Sequence, residues 1–192
     1  MTAPRITRRM LREWGACWSD GKIAAVVPPE GVTVWDALDA PESLLDVDDR
    51  VWVVVRALPE HDARLFGCRC AARALRTAGV TDIRAWRAIW TAAQYAYGLA
   101  TDEQLAAARA AARDAITAIH TTGHAVSRIY GATVDAYIAA ASATAASATA
   151  DNAAAAWRAA RISATWAEDD DAERCRQLAD LRRICLRVWG QP

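Results

Sequence analysis

Apolar residues recur at three- and four-residue spacing along most of the chain, and no hairpin signal interrupts them, so the pattern predicts helices. The first runs from Ile6 to about Ser19, with Met10 or Leu11, Trp14 and Cys17 or Trp18 on one stripe and Gly21 as its stop. The front half of IAAVVPPEG is a weaker helical stretch that ends in a Pro-Pro-Glu-Gly turn. Thr33 opens a short helix with Asp36 three residues on, a capping-box arrangement. DVDDRVWVVVRAL resembles a buried strand by composition. Its Val47, Val51, Val54 and Leu58 nevertheless fall at helical spacing, and a lone strand would leave its ladder unpaired, so the segment is expected to be helical.

Pro59 suits the first turn of the next helix, whose seam is Leu65, Cys68, Ala72 and Leu75 and whose stop is Gly79. Thr81 or Asp82 caps a helix bearing a heavy stripe of Ile83, Trp86, Trp90, Ala93 and Tyr97, ended by Gly98. Thr101 and Gln104 form a second capping box. From there to about Thr165 alanine dominates. It is the strongest helix former because it loses no side-chain entropy. One helix of that length would extend about 96 Å, too long for a small compact protein, so the tract is expected to fold back on itself. Candidate breaks are Gly123, Gly131 and Asp151-Asn152. Glu168–Asp171 is a solvated helix surface or a kink, and the last helix carries a seam at Leu178, Leu181, Cys185 and Val188. The expectation is an all-α protein: an N-terminal bundle of short helices over residues 1–98, then long antiparallel alanine-rich helices over 101–192, together one cooperative domain.

Composition sharpens this picture. The chain has 192 residues, 54% of them apolar, enough for one core. So many are alanine that the 9 tryptophans are expected to supply much of the anchoring volume. Basic and acidic residues balance at 23 each, which argues against dedicated nucleic-acid binding. Almost all the basic residues are arginine, Lys22 being the only lysine. The five cysteines (Cys17, Cys68, Cys70, Cys175 and Cys185) are scattered and odd in number, as expected of reduced thiols in the cytoplasm. No apolar run is long enough to span a membrane, and MTAPRITRRML lacks the apolar stretch of a signal peptide.

Candidate chemistry is sparse. His120 and His124 share a helical face, but Thr121 stands where a zinc protease needs glutamate, and two ligands are too few for a structural zinc. No metal or other cofactor is expected. Cys68 and Cys70 point their thiols about 200° apart on a helix and cannot chelate together. There is no phosphate loop and no nucleophile elbow, so no catalytic residue is assigned. Thr122, Thr133 and Thr144 repeat every eleven residues, a spacing that keeps them on one stripe of a nearly straight helix. Arg69, Arg73 and Arg76 share one helix face, and Arg109 with Arg113 another. Arginine forks suit phosphate and carboxylate, while Trp86, Trp90, Tyr95 and Tyr97 are able to stack a base. The simpler reading of the same residues is a solvated arginine face beside a tryptophan core.

LREWGACW at 11–18, ARLFGCRCAARA at 63–74 and AYGLATDEQLAAARAAA at 96–112 resemble the alanine-rich immunity-protein family of phage and bacterial genomes. The matches to that family's pattern are Gly15-Ala16-Cys17, Arg64-Leu65-Phe66-Gly67-Cys68-Arg69-Cys70 and Ala100-Thr101-Asp102-Glu103-Gln104-Leu105. Beyond about residue 115 the tract carries Thr, Ser, Ile and Tyr where family members often carry Trp and Arg. The resemblance implies an all-helical, non-catalytic protein acting in toxin–immunity conflict. The expected partner is therefore a protein toxin or defence effector. The arginine and aromatic faces keep a second class open, a sponge for a nucleotide-like immune signal, and a purely structural role is the third. Alanine-rich faces and the C-terminal seam also lead to the expectation of a homo-oligomer.

Overall fold

The computed structural model describes residues 3–121, 149–165 and 169–191. Among them the protein is predominantly helical, with a single two-stranded sheet. In chain order the elements are β1 (Arg5–Ile6), α1 (Arg8–Glu13), α2 (Asp20–Val26), β2 (Val32–Thr33), α3 (Val34–Leu38), α4 (Val47–Ala57), α5 (Glu60–Thr77), α6 (Ile83–Ala96), α7 (Asp102–Thr121), α8 (Thr149–Thr165) and α9 (Asp170–Trp189). The chain divides into two compact units, Met1–Leu58 with Arg174–Pro192, and Pro59–Glu173. The turn at 98–101 lies inside the second.

The first unit departs from expectation at its start. Helix α1 stops at Glu13, because Gly15 adopts φ +76° and its amide closes the turn onto Arg12. Cys17 and Trp18 therefore lie outside any helix. Gly21 is no stop: Ser19 caps α2 by accepting from the Lys22 amide, and Gly21 sits within that helix's first turn. Two short strands occur where none was expected. Arg5 pairs with Thr33 and Ile6 with Val32, antiparallel. The Pro-Pro-Glu-Gly turn delivers β2 to β1, and Gly31 is required there, since a Cβ would sit 2.9 Å from the Ile6 carbonyl oxygen at φ +80°. Arg5 donates to the carbonyls of Glu30 and Gly31, and Arg8 Nε donates to that of Val27 at 2.6 Å, which ties the strand pair to the end of α2.

The α3 capping box forms as read. Asp36 Oδ2 accepts from the Thr33 amide at 2.7 Å, and Thr33 Oγ1 accepts from the Asp36 amide at 3.1 Å. The Thr33 amide and hydroxyl hold the Asp36 carboxyl below the usual carboxylate range. Helix α4 forms where Val-Trp-Val-Val-Val suggested a strand. Asp46 caps it by accepting from the Asp49 amide, and Val51, Val53, Val54 and Val55 are buried. The seam on α9 is realised at Leu181, Ile184 and Cys185, all buried within the chain. Leu178 and Val188, the two ends of the expected seam, are half-buried. Arg174 pairs with Asp48, and Arg182 with Asp39, on the same unit.

The cores are aliphatic. Among the described tryptophans only Trp35 is buried, at 7% exposure, and the others are half-buried or exposed, so they supply less of the core than expected. Phe66 is the largest fully buried side chain, with Ile6, Leu11, Leu45, Leu75, Leu105 and Leu181 among the next.

In the second unit α5 packs between α6 and α8, and α6 also packs on α7. Gly79 ends α5 at φ +64°, with the Val80 amide bonded to the Leu75 carbonyl and the Gly79 amide to that of Arg76. Asp151-Asn152 is not a break but lies in the first turns of α8. Asp169 accepts from the Ala172 amide at 2.9 Å, so the acidic run caps α9. Gly123, Gly131, His124 and the threonine repeat lie outside the described residues, as does the His120 side chain.

Burial sorts the five thiols. Cys17 and Cys175 are exposed, while Cys68, Cys70 and Cys185 are buried. Burial pushes the Cys68 thiol up to about 12, so it stays protonated and unreactive. Maleimide labelling of the native protein is expected to stop at Cys17 and Cys175. The other three become reactive only in denaturant, and rapid labelling of Cys68 in the native state would contradict the packing of α5 against α6.

Candidate functional site

The residues singled out in the sequence all lie in the second unit. On α5, Arg69 and Arg76 are exposed, and the Arg76 guanidinium lies 5.6 Å from the centre of the Trp86 ring. Trp86 donates Nε1–H to the Val80 carbonyl at 2.9 Å, which fixes its ring across the α5–α6 turn. Arg73 turns elsewhere: its Nε donates to Glu173 Oε1 at 2.7 Å. That carboxylate is buried and also accepts from Ser163 Oγ at 2.8 Å, so Arg73 is a structural counter-ion. On α7, Arg109 is half-buried and Arg113 exposed.

Tyr95 and Tyr97 gather at the other end of the α5–α6 pair. The Tyr95 hydroxyl donates to Asp102 Oδ1 at 2.7 Å, and this bond raises the phenol above its ordinary range. The buried Arg64 guanidinium lies 4.8 Å from the Tyr95 ring centre and 3.4 Å from Glu60. His61 Nδ1 donates to the Ala96 carbonyl at 2.7 Å, and its ring meets the edge of Tyr97 at 4.9 Å. The structure therefore joins Arg76 with Trp86. It places Tyr95 and Tyr97 in a separate cluster with His61 and Arg64, partners that the sequence reading had passed over.

The aromatic stripe on α6 faces the opposite way from a core. Its buried side is Ala85, Ala88, Ile89 and Ala92. Ile83, Trp90 and Tyr97 are 58%, 65% and 60% exposed, and Leu99, just beyond the helix, is 72% exposed. The cause is steric. Ala88 meets Ala112 of α7 in a small-residue contact, and helices that approach so closely leave no room for an indole between them. At about 100° per residue, Tyr97, Trp90, Ile83, Gln94 and Arg87 fall within an arc of about 80°. Four of these positions are exposed and Gln94 is half-buried, so they form one continuous strip with spacings of four, three, four and three.

Sequence reasoning also missed an aromatic cluster in the first unit. The Trp52 ring lies 6.4 Å from Trp14 and 5.7 Å from Trp18. Arg56 covers Trp52 at 4.8 Å and Lys22 covers Trp18 at 4.9 Å. Trp18 Nε1 and Lys22 Nζ both donate to Asp49. Desolvation pulls Arg56 below its ordinary range. The signal available in sequence was Trp14 with Trp18, and Trp52 with Arg56, each pair four residues apart.

A cavity of about 290 Å³ in the same unit is lined by Val26, Val32, Ala37, Leu44, Asp36 and Asp39 among others. Asp36 is held by the α3 cap and Asp39 by Arg182, so its two carboxylates are already engaged. Among the described residues no group of His, Cys, Asp or Glu is arranged to hold a metal ion, and no helix is long and apolar enough to cross a membrane. Comparison with protein-family models, curated proteins and solved structures finds no match for this chain.

Proposed function

We propose that this chain is a non-catalytic helical binding protein that acts in bacterial or phage conflict by covering the working surface of a toxin or defence effector. The observation that carries the reading is the exposed apolar strip of α6. Monomeric proteins seldom leave large apolar side chains aligned in water unless a partner covers them. The resemblance at 11–18, 63–74 and 96–112 points the same way. The alternative, a sponge for a nucleotide-like immune signal, draws on Arg76 stacked over Trp86 beside the exposed Arg69. A homo-oligomer paired through alanine-rich faces is compatible with either.

The two readings separate in one purification. Tagged protein is recovered from bacteria carrying the conflict system, washed and analysed for co-purifying proteins, then heat-denatured and analysed for released small molecules. A protein partner in stoichiometric amount is the expected result. A stoichiometric nucleotide with no retained protein would replace the first reading by the second.

A further inference from the structure

We infer that the outer face of α6 is the seat of an amphipathic helix from the partner protein, apolar along its seam and acidic on its flanks. This rests on the protein-binding reading above and names the chemistry of the partner. Ile83, Trp90 and Tyr97 recur every seven residues, so they line one side of the helix, with Arg87 and Gln94 along the edge of the same stripe. The strip runs about 21 Å, some three to four turns of a facing helix. A facing strand repeats every two residues and does not stay in register with it.

Charge selects the partner. Residues 83–96 contain no acidic residue. Arg87 is exposed and forms no ion pair among the described residues, and the same holds for Arg69 and Arg76, two turns apart on the neighbouring α5. Arg84 is neutralised by Asp82 at 2.6 Å. The apolar strip is thus bordered by Arg87 on its own helix and by Arg76 over Trp86, neither of which forms an ion pair among the described residues. A second copy of this chain pairing through residues 83–96 would bring more arginine and no acid from that stretch. A helix with glutamate or aspartate beside its apolar seam supplies what is missing, and it also steers encounter. Trp90 stands at the centre of the strip, seven residues from Ile83 and seven from Tyr97. A tryptophan flanked by arginine at the middle of a patch is where binding energy concentrates.

The test uses the full chain and two labelled peptides of about three heptads, both with leucine along the seam, one flanked by glutamate and the other by lysine. Fluorescence anisotropy is expected to show the glutamate peptide binding at least about ten-fold more tightly than the lysine peptide. Trp90→Ala should weaken the glutamate peptide by a similar factor. Arg87→Glu should reduce the preference for glutamate or reverse it, an outcome that loss of fold does not mimic. Both side chains are exposed, so circular dichroism is expected to match the parent. Equal binding of the two peptides, or binding indifferent to Trp90→Ala, would overturn the proposal. So would a dimer of this chain that Trp90→Ala splits, since the occupant would then be a second copy. A partner protein whose capture survives Trp90→Ala and Arg87→Glu would remove this face while leaving the proposed function intact. Selective peptide binding with no partner recovered from cells would do the reverse.

Discussion

Gly67→Val is expected to destabilise the second unit by about 3 kcal/mol, the upper end of what overpacking a close contact costs. Gly67 lies in the middle of α5, where α8 crosses it. A Cβ there would stand 3.0 Å from Ala156 Cα and 3.2 Å from Ala156 Cβ. The nearer obstacle is backbone, which cannot rotate aside as a side chain does, so the helices must separate. Glycine inside a helix ordinarily gives up about 1 kcal/mol against alanine, and Gly67→Ala would recover that in an open helix. Here the contact with Ala156 is expected to cancel the gain, leaving Gly67→Ala at or below the parent and Gly67→Val well below it. Urea unfolding followed by circular dichroism reads the order directly. Parent-like stability in Gly67→Val would mean that α5 and α8 do not touch at this point.

The same crossing shows what the sequence made visible. Alanine predicted helix, and its small side chain is what allows the close approach of Ala156 to Gly67. Capping chemistry was equally plain, because Thr33 with Asp36 and Thr101 with Gln104 are short-range arrangements whose geometry is fixed within one turn. Helix α4 was legible because spacing outweighed composition. What failed was the choice between two faces of one helix. On α6 the series Ala85, Ala88, Ala92 has the same period as Ile83, Trp90, Tyr97, and size alone suggested that the aromatics go inward. The neighbours decide instead: α6 lies between α5 and α7, and small residues win where two backbones are near. Local backbone also escaped notice, as at Gly15, whose positive φ ends α1 well before Ser19. The strand pair depends on residues far apart in sequence, Ile6 and Val32, and neither signals the other. For the candidate site, the contact of Arg76 with Trp86 joins two residues the sequence singled out, whereas the pairing of Arg73 with Glu173, 100 residues away, has no signal near it in sequence.

That partner makes Arg73→Ala the second large effect. Glu173 is 2% exposed and takes bonds from Arg73 and Ser163, so deleting the guanidinium removes a cationic partner from a buried carboxylate. Breaking a buried pair from one side costs about 3–5 kcal/mol, whereas replacing both partners by apolar groups of similar volume is often close to neutral. Arg73→Ala should therefore unfold at much lower urea than the parent. Arg73→Met combined with Glu173→Leu should recover most of the loss. If Arg73→Ala alone proved parent-like, the pair would not be holding α5 to the end of the unit, and Arg73 would return as a candidate ligand group. Arg69 is the clean comparison on the same helix. It is exposed, and Arg69→Ala is expected to change stability by no more than about 0.5 kcal/mol. Loss of a bound nucleotide in Arg69→Ala would then speak for the sponge reading, and the same loss in Arg73→Ala would not, because there the fold itself is weakened.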